Sequence, residues 1–154
     1  MKRINFSDMS CPIALAADEI GEAWTILILR EALKGASTFN VFAEKIPIAA
    51  STLTRRLNAL VVKGFFVRVQ YQTNPLRHRY ELTAKARDLL PILLALGEWG
   101  NRWLSPQEKL ISVTDETTGQ QIKAGVVDLN TMKRLDVEHI FLKRTSKDIR
   151  RQKK

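Results

Sequence analysis

Ser51, Thr52, Arg55 and Asn58 fall within eight residues, spaced so that a helix carries them on one side. Two hydroxyls, a guanidinium and an amide are the groups that hydrogen-bond base edges or hold phosphate oxygens. On the other side Leu53, Leu57, Leu60 and Val61 recur at helical spacing and form one apolar stripe. The chemistry this implies is non-covalent recognition of a polyanion. Arg55 is the outward candidate for a base edge or a nearby phosphate, and Arg56, at the flank, for a backbone phosphate. An ordinary amphipathic helix with a solvated face fits the same residues, so the surroundings must decide.

A second basic group, Arg77, His78 and Arg79, begins at the end of a turn-like stretch over residues 72–77. Bond-making chemistry finds no comparable support. No Ser-His-Asp, Cys-His or paired-carboxylate set lies beside a phosphate-cradling glycine loop or a metal motif. The expectation is therefore no enzyme, no catalytic residue, no cofactor and no metal. The two histidines, His78 and His139, share no ligand spacing with another candidate. The single cysteine, Cys11, excludes an internal disulfide and a cysteine-rich zinc site. It stands at an expected helix start, where the dipole favours a thiolate, which makes it a candidate sensor of oxidants or electrophiles. The competing account is a small capping residue.

The net charge of +9 is unevenly spread. Residues 30–87 hold eleven Lys and Arg against three Asp and Glu, and residues 143–154 hold seven against one. The other 84 residues hold seven against twelve, so the surplus sits on the presumed recognition unit and on the tail. With 154 residues and 45% hydrophobic content the chain can bury one core and a small appendage. No apolar run reaches the roughly 20 residues that span a bilayer, and the first eight residues lack a secretory core. A cytoplasmic protein without membrane contact is expected.

The elements that must position these groups can be read in order. Ser10-Cys11-Pro12 starts a helix with Ile13, Ala16, Ala17 and Ile20 on its apolar side, and Gly21 ends it. Residues 24–33 are apolar nearly all round, as a central buried helix requires, and Lys34-Gly35 closes them. Ser37 or Thr38 caps a short helix that runs to Lys45, with Phe39, Phe42, Ala43 and Ile46 inward. Pro47 breaks it, and a brief turn leads to the polar helix, which completes a helix-turn-helix candidate. After Gly64, residues 66–71 and 78–82 alternate as two strands of a hairpin, a wing. Thr83 caps the longest helical pattern, over residues 83–104, with a kink expected at Pro91. Its apolar residues cover more than one face, which implies a second subunit.

The order Cys11-Pro12, Gly21-x-x-Trp24-Thr25, Ile28-Leu29-Arg30-Glu31, Leu53-x-x-Arg56-Leu57, Gly64, Tyr71, Pro75, Arg77, Tyr80-x-Leu82-Thr83, Pro91 and Trp99-Gly100 resembles the HxlR family of winged-helix, MarR-like bacterial transcriptional regulators. The match covers about residues 10–104. The resemblance implies a homodimer on a pseudo-palindromic operator in double-stranded DNA, with the recognition helix near residues 50–62 and the wing near 68–82. A small-molecule or electrophile response is part of that expectation. Some relatives use a cysteine near the position of Cys11. Thr38-Phe39 departs from the family's basic residue before phenylalanine, and Thr38 is kept in the DNA-binding set. Pro47-Ile48-Ala49-Ala50 lacks the family's usual glycine.

The expected fold is mainly α with a β-hairpin wing: a winged helix-turn-helix domain with a long C-terminal dimerisation helix over residues 1–104, then a small β-rich appendage. That appendage, residues 105–142, reads as three short strands at 111–114, 121–128 and 137–141, with turns at Thr118-Gly119 and Asn130-Thr131. Packing or dimer support is its expected role, with effector binding the alternative. Residues 143–154 form a basic tail expected to be disordered. A winged helix used for protein or RNA contacts is the alternative function.

Overall fold

The computed structural model describes Phe6 and residues 8–104 and 113–135. They belong to two compact units, Met1–Leu93 and Leu94–Lys154. The first begins with α1 (Pro12–Ile20), α2 (Ala23–Leu33), α3 (Phe39–Lys45) and α4 (Ala50–Val62). A hairpin of β1 (Phe66–Gln72) and β2 (Arg77–Leu82) follows, then α5 (Ala84–Arg87) and α6 (Leu90–Trp103). This is a winged helix-turn-helix.

Its core is built chiefly from α2, α3, α4 and the start of the hairpin. Ile28 and Leu29 of α2, Phe42 of α3 and Leu53, Leu57 and Leu60 of α4 are at most 1% exposed. Each such side chain contributes roughly 1.5–3 kcal/mol of burial energy. Phe42, Phe66 and Tyr80 form an aromatic triangle with centroids 6.0–6.4 Å apart, locking α3 against the hairpin. Ala43, expected inward, is exposed. As the next residue along the helix, about 100° round from Phe42, it lies off the buried face.

Two glycines set the helix ends. Gly35 and Gly64 take φ values of +100° and +73°, and the residues after them, Ala36 and Phe65, donate backward to Glu31 and Leu60 carbonyls. Both are Schellman closures, with the next apolar residue returned to the core. Thr83 caps α5 as expected, accepting from the Ala86 amide at 3.3 Å. The helical pattern of residues 83–104 is not one kinked helix, however. It breaks at Asp88-Leu89 into α5 and α6. Pro91 thereby falls in the first turn of α6, where its missing N–H leaves no hydrogen bond unmade.

The hairpin has a third extended neighbour that its own strands did not announce. The Tyr80 amide donates to the Ser37 carbonyl at 2.7 Å, and Thr38 bridges Arg79. Thr38 is indeed the N-cap of α3, but its side chain makes no capping bond.

In the second unit, α6 continues to Trp103 and two short antiparallel ladders follow. One pairs β3 (Val113–Thr114) with β4 (Gln121–Ile122), the other β5 (Val127–Asp128) with β6 (Lys133–Arg134). The expected strand over 121–128 is thus two strands interrupted around Gly125, and β6 is an added partner. The turn Asn130-Thr131 is present, held by Asp128 accepting from the Asn130 amide at 2.9 Å. The expected strand at 137–141 and the tail at 143–154 lie outside the described residues. No helix of the described residues is long and apolar enough to cross a membrane.

Candidate nucleic-acid interface

α4 separates its two sides cleanly. Leu53, Leu57 and Leu60 are 0–1% exposed, while Ser51, Arg55 and Asn58 are exposed and Thr52 is half-buried at the edge. Thr54 belongs to the outer side as well. It completes an i, i+3, i+4, i+7 row with Ser51, Arg55 and Asn58, and its hydroxyl donates to the Ala50 carbonyl at 2.9 Å. The sequence reading passed over it, although the helical period alone marks it.

The helix is bolted to the α1–α2 corner from behind. Arg56 pairs with Glu22, the two side chains retaining 20% and 30% of their exposure. Arg56 Nε and Glu22 Oε2 are buried with no hydrogen-bond partner among the described residues. That is an incompletely satisfied ion pair, stable only while both charges stay together. Lys63 Nζ donates to the Asp18 and Glu19 carbonyls, each at 3.0 Å, capping the end of α1. Lys85 Nζ reaches Glu19 Oε2 at 2.9 Å and lies 4.4 Å from the Phe65 ring centroid. The Lys85 ammonium holds the Glu19 carboxyl below its ordinary 4.5, against an opposing push from burial.

Arg56, expected at the flank on a phosphate, pairs its guanidinium with Glu22. The cause is tertiary, because Glu22 lies in the α1–α2 linker and meets α4 only on folding.

The hairpin divides its basic triplet. Arg77, Arg79 and Glu81 alternate on the exposed face of β2, whereas His78, Tyr80 and Leu82 are half-buried. Arg79 Nε binds Glu81 Oε1 at 2.6 Å on that face. Arg77 closes the ladder opposite Gln72, beside an irregularity between Gln70 and Gln72. Arg68 stands opposite Tyr80 and is exposed. Burial raises the Tyr80 hydroxyl above its ordinary 10.0, and the Arg68 charge opposes that shift.

The eleven cations of residues 30–87 are therefore not equivalent. Arg30 and Lys34 hold the buried Glu31, at 2.8 and 3.2 Å, and Lys45 meets Glu44 at 3.8 Å. Arg56, Lys63, Lys85 and Arg79 are occupied as above. Among the described residues Arg55, Arg68, Arg77 and Arg87 form no ion pair. Arg68 and Arg87 were not singled out from the sequence; nothing but tertiary pairing distinguishes them from the other cations.

Cys11 is the N-cap of α1 and half-buried, and its side chain makes no capping bond. No group of three or more His, Cys, Asp or Glu among the described residues could hold a metal.

Residues 19–108 match the HxlR-like helix-turn-helix family. An uncharacterised HTH-type transcriptional regulator of Mycobacterium tuberculosis, Rv3095, is 39% identical over 109 residues, covering 70% of this chain and 69% of its own. Among solved structures, PA1607, whose role as a transcription factor is inferred, superposes with a TM-score of 0.81 at 31% identity, over 90% of this chain and 97% of that one. The redox regulator HypR in its reduced form gives 0.57 at 32% identity, over 64% and 100%.

Proposed function

Because the chain belongs to the HxlR-like helix-turn-helix family of DNA-binding transcriptional regulators, we propose that it acts in the bacterial cytoplasm as a homodimer on a pseudo-palindromic operator. The observation that carries this reading is the sorting of charge on α4. Arg56 is spent on Glu22 behind the helix, while Arg55 stands in front with no ion pair among the described residues.

In this reading α4 enters the major groove, where Arg55 and Asn58 reach base edges. Ser51, Thr52 and Thr38 hold phosphates beside it. Arg77, His78 and Arg79 meet the backbone or the minor groove from the hairpin, with Arg77 the least encumbered of the three. Arg56 is a positioning residue: it acts through the angle at which α4 is presented.

The dimer rests on α6. Ile92, Leu96, Trp99 and Trp103 recur at 4-3-4 spacing and are 46–66% exposed, an apolar stripe left open among the described residues. Two such stripes pack as a helical seam. Two copies of α4 would then meet half-sites about one helical turn, roughly 34–36 Å, apart. Any thiol response of this protein must pass through Cys11, its one cysteine, and HypR's description as a redox regulator supports testing for one.

Footprinting upstream of the protein's own gene tests the reading. A protected site with two-fold symmetry, bound by a species of twice the chain mass, is the expected result. Binding that tracks only DNA length and salt, with no protected sequence, would refute operator recognition. Diamide should alter operator affinity in the wild type and not in Cys11→Ser if Cys11 responds.

A further inference from the structure

The second unit contains a cavity that DNA binding leaves unused. Its volume is about 380 Å³, at the small end of the roughly 300–1,000 Å³ of small-molecule sites. Glu98 and Arg102 reach it from α6, Gln121 from β4, Lys123 from the segment after β4, and Val127 and Arg134 from the second ladder. Val127 and Arg134 are cross-strand partners, so an apolar side chain and a guanidinium are held side by side.

The charge around this cavity is sorted. Among its described residues the unit has four cations, Arg102, Lys123, Lys133 and Arg134, against four carboxylates, Glu98, Asp115, Glu116 and Asp128. Three of the cations line the cavity and only one carboxylate does. Asp115 and Asp128 are engaged in turns: Asp115 accepts from the Thr117 and Thr118 amides, and Asp128 from Asn130 and Thr131. Glu98 and Arg102 stand one turn apart in the order that favours an ion pair. Yet among the described residues none of Glu98, Arg102, Lys123 or Arg134 forms one. Among the described residues, three cations without an ion pair and one carboxylate line a space of ligand size, a surplus of two positive charges.

We propose that this cavity binds a small organic dianion. Arg102, Lys123 and Arg134 hold its anionic oxygens, whether on two carboxylates or one phosphate, and two guanidiniums suit either. Glu98 accepts a hydrogen bond from a ligand hydroxyl or amine, and Val127 packs its carbon body. The site goes beyond the DNA-binding reading and does not depend on it.

Isothermal titration of the full chain with two probes, succinate and phenyl phosphate, tests the site, with succinamide as the uncharged control. Saturable binding of at least one dianion at one site per chain, and none of succinamide, is expected; the preferred probe separates a carboxylate from a phosphate ligand. Arg102→Gln and Arg134→Gln should each raise the dissociation constant about tenfold. Lys133→Gln, the neighbouring cation outside the cavity, should leave it unchanged, as should Arg55→Gln on α4. No saturable binding of either dianion overturns the proposal. So does binding that survives Arg102→Gln with Arg134→Gln and is lost in Arg55→Gln, since the anion would then sit on the DNA face. Operator affinity of the same variants is measured separately, so failure of one reading leaves the other standing or falling on its own data.

Discussion

Neighbouring arginines of α4 differ in pairing, Arg56 with Glu22 and Arg55 with no ion pair among the described residues, and substitution tests whether their duties differ. Arg55→Ala should weaken operator binding by about 1–3 kcal/mol while changing random-DNA binding less, as expected for a base contact. Equal losses on both duplexes would reduce Arg55 to a phosphate contact. Glu22→Gln tests Arg56. If Arg56 positions α4 through its pair with Glu22, Glu22→Gln and Arg56→Ala should each lower the melting temperature and DNA affinity together. If the guanidinium instead serves phosphate directly, freeing it should strengthen binding. Glu19 adds a pH dependence. Its carboxyl is held below the ordinary 4.5, first of all by Lys85, so its contribution is complete above pH 4.5 and is lost as pH falls through its lower folded value. Glu19→Gln should be less stable at neutral pH and lose less between neutral and acid, as followed by thermal melts across that window.

At the scale of the element, α6 has two rows that differ in burial. Leu93 is partly buried against the core, together with Leu89. A charge there would damage the fold of the first unit and say little about association. Trp99, on the exposed row at 53%, is the position that interrogates the seam. Trp99→Glu should leave the melting transition of the winged helix in place and halve the mass seen by light scattering. An unchanged dimer would show that the stripe is not the subunit contact. The hairpin makes a related point. Arg77 and Arg79 share a face, but Arg79 is paired with Glu81. Arg77→Ala should therefore cost operator affinity more than Arg79→Ala, in a fluorescence-anisotropy titration on a fixed duplex.

Across the molecule, the positive surplus divides into a tethered and a terminal part. Residues 146–154 hold five Lys and Arg against one Asp and few apolar side chains. Such a cluster raises affinity for any duplex and cannot choose a sequence. Deleting it should weaken operator and random DNA by similar factors and flatten the salt dependence, each lost phosphate contact removing about 0.9 from the slope. Loss confined to the operator would mean that the tail docks in one register. Both the deletion and Arg77→Ala should stay folded and dimeric in sedimentation.

Local rules were enough for much of this protein. The apolar period of residues 53–61, the glycine at 64 and the alternation after it placed α4 and its hairpin nearly to the residue, because helix closure and strand alternation depend on neighbours in the chain. The ordered motifs likewise carried the family, since they are properties of sequence. The appendage was read less well: two-residue ladders leave almost no periodicity, so β6 and the break at Gly125 were invisible. What only the tertiary structure decided was the fate of individual charges. Arg55 and Arg56 are adjacent and chemically identical, yet Glu22, thirty-four residues before Arg56, neutralises one and leaves the other exposed. An ion pair is a matter of distance in space, and no pattern along the chain encodes it before the helices pack.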